Sequence, residues 1–207
     1  MIADIAFAAV LLLAGLLGMI AARSARPASR TYFALAALLY AALAVADVIG
    51  NTVPGTATFS EPIVLIVCAL GPVALSLSLC AGFAHPPKSW TAALLLIAGF
   101  AAGIGAAILG TNALAFAVLV AAMCAMLALS ARRYAKDKRG AIRAVIASIC
   151  FLAAASAANS GAGNSALMLF SAAGLLGISL AVARPLRKPV AEKRRKDLRF
   201  GTIAREI

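Results

Sequence analysis

The chain has 207 residues, of which 64% are hydrophobic and 13% charged, with a mean hydropathy of +1.01; an ordinary soluble domain is about half apolar and about a quarter charged. No soluble fold of this length has an interior large enough for that apolar surface. The 19 Lys and Arg outweigh 7 Asp and Glu, for a formal net charge of +12, and His85 is the single histidine, which excludes bis-histidine haem and His-based zinc sites and leaves a serine-histidine hydrolase one loop residue to use.

The chain is almost consumed by apolar runs of near-bilayer length. A lipid-exposed run must satisfy its own backbone, so it is a helix or a strand of a closed barrel. These runs do not alternate polar with apolar, as barrel strands do, and the expectation is an all-α membrane protein with seven transmembrane helices. Span one, Ile5 to Ala22, is preceded by Asp4 and no Lys or Arg, and its basic cluster follows it. That is the reverse of a secretory signal and reads as a retained span entering from outside.

Span two, Thr31 to Gly50, places Tyr40, Ala44, Asp47 and Asn51 on one face by their i, i+4, i+7, i+11 spacing. A carboxylate inside a span is costly and is a functional suspect by default. The alternative is that Asp47, about a turn from the outer end, is hydrated at the interface. Span three, Ile63 to Phe83, has Pro72 after Gly71 at its centre. That proline removes the backbone bond to the Cys68 carbonyl, and the resulting kink is either a hinge or a static bend. Span four, Trp90 to Leu109, carries Gly99 and Gly103 as a G-x-x-x-G pair, expected to serve internal packing rather than a dimer contact.

Span five is Ala113 to Ala131, span six Ala141 to Ala158, and span seven Ala166 to Ala183. Around the end of span six, Ser156, Asn159, Ser160 and Gly163 form a polar, small-residue stripe. Facing span two, that stripe would complete a polar cavity with Tyr40, Asp47 and Asn51; otherwise it is a close-packing helix interface. Cys68, Cys80, Cys124 and Cys150 all lie inside apolar runs, with no C-x-x-C pair, and are expected to be small buried thiols. No metal and no cofactor is expected.

Orientation follows from charge. Every Lys and Arg falls after span one, three, five or seven, and the alternate connections, Asn51 to Glu61, Gly110 to Asn112 and Asn159 to Ser165, carry none. Under the positive-inside rule the N-terminus lies outside and the C-terminus in the cytoplasm. Residues 1–183 then form the membrane domain, and residues 184–207 a basic cytoplasmic tail. In that tail Arg187, Lys188, Lys193, Arg194, Arg195 and Lys196 are expected to bind anionic headgroups, and no nucleic-acid partner is expected because neither a binding fold nor interleaved aromatics accompany the charge.

Spans one and five share Ala6-Phe7-Ala8 and Ala115-Phe116-Ala117, and spans three and seven share A-x-G-x-x-x-[LI]-S-L at Ala69 to Leu77 and Ala172 to Leu180. Either two like-oriented three-helix units flank a connecting fourth helix, a 3+1+3 parallel repeat, or alanine-rich runs match by chance. In layout such a chain resembles the SWEET sugar transporters, without the prolines of that family in spans one, two, five and six. It is also similar in layout to microbial rhodopsins, but span seven has no lysine for a retinal Schiff base. Of the Gly-Asp and Ser-Asp pairs of the lysoplasmalogenase-like membrane hydrolases, Ala46-Asp47 keeps only the acid and Ser156-Ala157 only the serine.

Three functions are therefore compatible with the chain. An accessory or assembly subunit of a membrane complex is favoured because packing accounts for nearly every span, and it implies a membrane-protein partner or a homo-oligomer. A small-solute transporter, with Tyr40, Asp47, Asn51, Ser156, Asn159 and Ser160 lining a cavity and Pro72 as hinge, is the alternative. A lipid-acting hydrolase comes last, because acid-base chemistry needs paired titratable groups within reach. The expected location is a bacterial inner membrane.

Overall fold

A computed structural model describes residues 2–53, 57–84, 86–159 and 164–183. Among these residues the chain forms seven α-helices: α1 Ile2–Ala21, α2 Pro27–Thr52, α3 Ala57–Phe83, α4 Ser89–Leu109, α5 Ala113–Tyr134, α6 Lys138–Asn159 and α7 Asn164–Val182. Six are long and apolar enough to cross a membrane, and the seventh is an apolar helix whose Ala166–Val182 stretch is slightly shorter. The tail residues expected to bind lipid, Arg187, Lys188, Lys193, Arg194, Arg195 and Lys196, lie outside the described residues, as does Ser160.

Local chemistry explains the helix ends. Arg26 is held extended by the following proline, and Pro27 opens α2 at a position where its missing N–H costs nothing. Gly110 closes α4 with φ 61°, a left-handed conformation that a side chain would strain, and Thr111 N–H returns to the Ala106 carbonyl at 3.1 Å. Asp137 caps α6: its Oδ1 accepts from Gly140 N–H at 3.0 Å. The last carbonyls of α3 and α7 accept from arginines, Arg26 donating to Ala81 and Ala84, and Arg143 donating to Leu180 at 3.1 Å.

The helices close into a ring in the order α1, α2, α3, α5, α6, α7 and back to α1, with α4 outside it against α3 and α5. Burial within this ring favours small residues. On α1 the inward face is Ala8, Leu11, Ala14, Gly15 and Gly18, whereas Leu13, Leu17 and Ile20 point outward and are exposed. Large aliphatics outside and small residues inside is what a bundle solvated by hydrocarbon requires, because lipid is as apolar as leucine and close backbone packing supplies the stability.

Helix α3 is the most enclosed element. It touches α2, α4, α5 and α7, and the five residues Gly71 to Leu75 are all buried. Helix α4 docks on it through a seam of Ala92, Gly99, Gly103 and Ala106, all buried, while Leu94, Ile97, Phe100 and Ile108 face away. A Cβ at Gly103 would lie 2.6 Å from the Ile66 Cα, so the G-x-x-x-G pair brings α3 and α4 into backbone contact inside one chain, as its spacing predicts.

Buried hydroxyls are satisfied within the bundle. Ser29 on α2 and Ser78 on α3 bond reciprocally, each Oγ donating to the other's carbonyl at 2.8 and 2.9 Å. Ser130 and Ser148 return their hydroxyls to the carbonyls of Met126 and Ala144. The cysteines depart from expectation. Cys124 is exposed on the bundle surface, and Cys68, Cys80 and Cys150 are only half-buried. Periodicity located them in spans but could not say which face they occupy.

Candidate functional site

The polar groups of span two lie where the sequence places them, but their environment is drier. Tyr40 and Asp47 share the inward face of α2 with Phe33, Ala36 and Ala44, and Asp47 is only 4% exposed. It is thus a buried carboxylate rather than one hydrated at an interface. Asn51, one turn later and exposed, donates from Nδ2 to Asp47 Oδ2 at 3.1 Å. A buried carboxylate survives only with such donors, since desolvation without compensation costs several kcal/mol.

Tyr40 does not look onto a polar space. Its ring stacks with Phe151 of α6 at a centroid distance of 5.6 Å and an interplanar angle of 32°. Each aromatic rests on a glycine of the following helix. A Cβ on Gly71 would come within 3.0 to 3.2 Å of Tyr40 ring and hydroxyl atoms, and one on Gly174 within 2.5 to 2.9 Å of the Phe151 ring. Spans two and six therefore meet, through an aromatic pair that needs both glycines.

The expected partners on span six do not join this group. Ser156 is exposed and continues the outward stripe of Ile142, Ile146 and Ile149 at helical spacing, so it points away from α2. Serine, asparagine and glycine were sufficient to suggest a polar face, but which way that face turns is set by how Phe151, Ala147 and Ala154 pack inward. Asn159 ends α6. Pro72 lies inside an unbroken α3, buried on all sides, which leaves little room for the large swing of a hinge.

A small cavity of about 70 Å³ does occur between α3, α5 and α6, lined by Val64, Cys68, Asn112, Phe116, Leu119 and Ala155. Its walls are nearly all apolar, with the Asn112 amide the strong donor and acceptor there and the Cys68 thiol a weak one. Among the described residues no group of three His, Cys, Asp or Glu side chains could hold a metal ion. Sequence reasoning missed the Ser29–Ser78 bridge and the Tyr40–Phe151 pair. The first left no signal in isolated serines. The second left one: Gly71 and Gly174 occupy the same place in the shared pattern of spans three and seven.

Compared with known proteins, the chain matches no family model, no curated protein and no solved structure.

Proposed function

We propose that this chain is a non-catalytic packing subunit of a larger membrane assembly. The observation that carries the reading is the closure of the bundle interior by the Tyr40–Phe151 pair seated on Gly71 and Gly174. A carrier or a hydrolase needs a polar space at that level, and here small-residue seams and two aromatics occupy it. The position of α4 agrees with this reading. A helix held outside a closed ring adds outer surface and no interior, and its Leu94, Ile97, Phe100 and Ile108 are available to lipid or to another membrane helix. The test is isolation of the tagged chain from its own membrane in lipid-preserving polymer discs. A stoichiometric membrane-protein partner is the expected result, and recovery of the chain alone overturns the proposal.

A second reading, a small-solute carrier built from two parallel three-helix units, is favoured by a specific set of matches. The ring order sets α1–α2, α2–α3 and α3–α5 against α5–α6, α6–α7 and α7–α1, although the α2–α7 contact has no counterpart of like extent between α6 and α3. Two grooves at the basic end also correspond. One is formed by Leu16, Met19, Ile20 and Arg23 with Arg30, Phe33 and Ala34. The other uses Leu127, Ser130, Ala131 and Tyr134 with Ile142, Val145 and Ile146. On the first helix of each unit the groove positions are 111 residues apart, two more than the shared Ala-Phe-Ala letters, and on the second 112. Ser76 and Ser179, equivalent in the shared pattern, each donate to the carbonyl three residues back at 2.8 Å. Parallel repeats of this kind hold their substrate between the halves. In that cycle the Asp47–Asn51 pair would be the titrating or coordinating group, the aromatic pair would part, and the membrane would be crossed with the N-terminus outside. Proteoliposome uptake of a panel of sugars and amino acids, with and without a pH gradient, tests it. Loss of flux in Asp47→Asn is expected, and unchanged flux removes Asp47 from the mechanism.

A further inference from the structure

The basic end of the bundle holds a cavity of about 570 Å³ between the α5–α6 turn and the last turn of α7, lined by Arg133, Lys136, Arg139 and Arg143, with Asp137 the one acid among them. That acid is already engaged in capping α6 through Gly140 N–H. Arg143 is partly engaged as well, donating to the Leu180 carbonyl. Arg133 lies over the Phe83 ring at 5.8 Å, and its Nε is buried with no hydrogen-bond partner among the described residues. Four cations around one space repel one another, and a buried guanidinium N–H without an acceptor is costly. An oxyanion in the cavity would relieve the repulsion among them. The first turn of α6, whose Gly140 N–H is taken by Asp137, adds the positive end of its dipole at the same place.

Phosphate answers this donor set better than a carboxylate, because it offers several oxygens to donors arriving from different directions. The same two helices also carry an apolar groove of about 320 Å³, walled by Leu127, Ala141, Ile142, Val145 and Ile146. A cationic cavity and a hydrocarbon groove on one helix pair match a molecule with a phosphate at one end and an acyl chain at the other. We propose that Arg133, Lys136, Arg139 and Arg143 form a discrete binding site for the phosphate of an anionic phospholipid headgroup, whose chain lies in the α5–α6 groove. This site is independent of either reading of the function.

The test is native mass spectrometry and thermal unfolding of the full chain in neutral detergent, titrated with phosphatidylglycerol, with phosphatidylcholine, or with inorganic phosphate. Lys136 and Arg139 are exposed, so K136Q/R139Q is chosen as the variant that leaves the packing in place, and its melting temperature without lipid checks this. One phosphatidylglycerol is expected to bind per chain, about 30-fold more weakly in K136Q/R139Q, since each neutralised cation near an anionic headgroup removes about 1 kcal/mol. R23Q/R30Q, in the α1–α2 groove, and R194Q/R195Q/K196Q in the tail are expected to bind within twofold of the unaltered chain. Equal weakening in either control, or none in K136Q/R139Q, overturns the site. Should K136Q/R139Q fail to fold, R139Q alone is read the same way with a proportionately smaller shift. Stabilisation by inorganic phosphate without any by phosphatidylglycerol keeps the oxyanion chemistry and overturns the lipid as its source.

Discussion

The contrast between Gly99 and Gly103 gives a sharp test of how α4 is held. A Cβ at Gly99 would sit 3.4 to 3.5 Å from Val73 and Leu70, which is ordinary contact, whereas one at Gly103 would sit 2.6 Å from the Ile66 Cα and 3.2 Å from its N. A backbone atom cannot rotate away, so Gly103→Ala forces α4 back from α3 by roughly 1 Å and costs about 1–3 kcal/mol as overpacking. Gly99→Ala meets no such obstacle and gains up to about 1 kcal/mol of helix propensity. The two variants of one motif are therefore expected to move in opposite directions in thermal or denaturant unfolding in mild detergent. The G-x-x-x-G pair could instead serve a contact between two copies of the chain. In that case Gly103→Ala would dissociate a dimer while leaving the unfolding midpoint of the monomer where it was. That pattern, or equal effects at the two positions, would refute the docking of α4 through Gly103.

Three further outcomes follow from single contacts. Asn51→Leu removes the donor to the buried Asp47 carboxylate and is expected to lower stability by about 1–3 kcal/mol in equilibrium unfolding. The exchange Asp47→Asn with Asn51→Asp should recover much of that loss, since the amide and the carboxylate simply change places. A double-mutant cycle of Ser29→Ala and Ser78→Ala should give a coupling of about 0.6 kcal/mol and at most about 1.7, the average and the maximum for hydrogen bonds between membrane helices; additivity would mean that the reciprocal bonds do not form. In a cysteine-free background, Ala135→Cys should react with an impermeant maleimide only in inverted vesicles, and Thr58→Cys only in right-side-out ones. The opposite pattern would reverse the threading assigned from charge.

Much of the architecture was legible because bilayer thickness is a physical ruler. Leu109 and Ala113, the end of span four and the start of span five, are helix ends in the structure as well. Most differences are extensions, although α1 and α7 each end one residue short of the expected spans, at Ala21 and Val182. Helices outlast their apolar runs, so α2 starts at Pro27, α5 continues to Tyr134 and α6 starts at Lys138. Hydropathy reports where hydrocarbon is, while hydrogen bonding continues through the headgroup region. The site was less legible. The face of α2 followed from spacing because one polar stripe stood out against alanine. The facing of Ser156 did not, because a serine is tolerated in lipid as readily as in a seam, and the choice belongs to Phe151 and its glycine.

The glycines of spans three and seven say most about how the bundle is organised. Gly71 and Gly174 are 103 residues apart, as are Ser76 and Ser179, and at both places the same physical device recurs: an aromatic from the preceding helix fills the hollow left by the missing Cβ. The residues that fill the hollows, Tyr40 and Phe151, are 111 residues apart, one short of the 112 that separates the groove positions on the same two helices, and differ by one hydroxyl. The likeness is one of contact as well as of letters, since each hollow is filled by a side chain from a second helix. The matched contacts meet at the centre, where Tyr40 touches Phe151. Enlarging either glycine should therefore disturb both halves. Gly71→Ala pushes Tyr40 toward Phe151, and Gly174→Ala pushes Phe151 toward Tyr40, so the double variant is expected to lose more stability than the sum of the two singles. Strict additivity in unfolding free energy would mean that the two hollows are independent and that the aromatic pair does not join the halves.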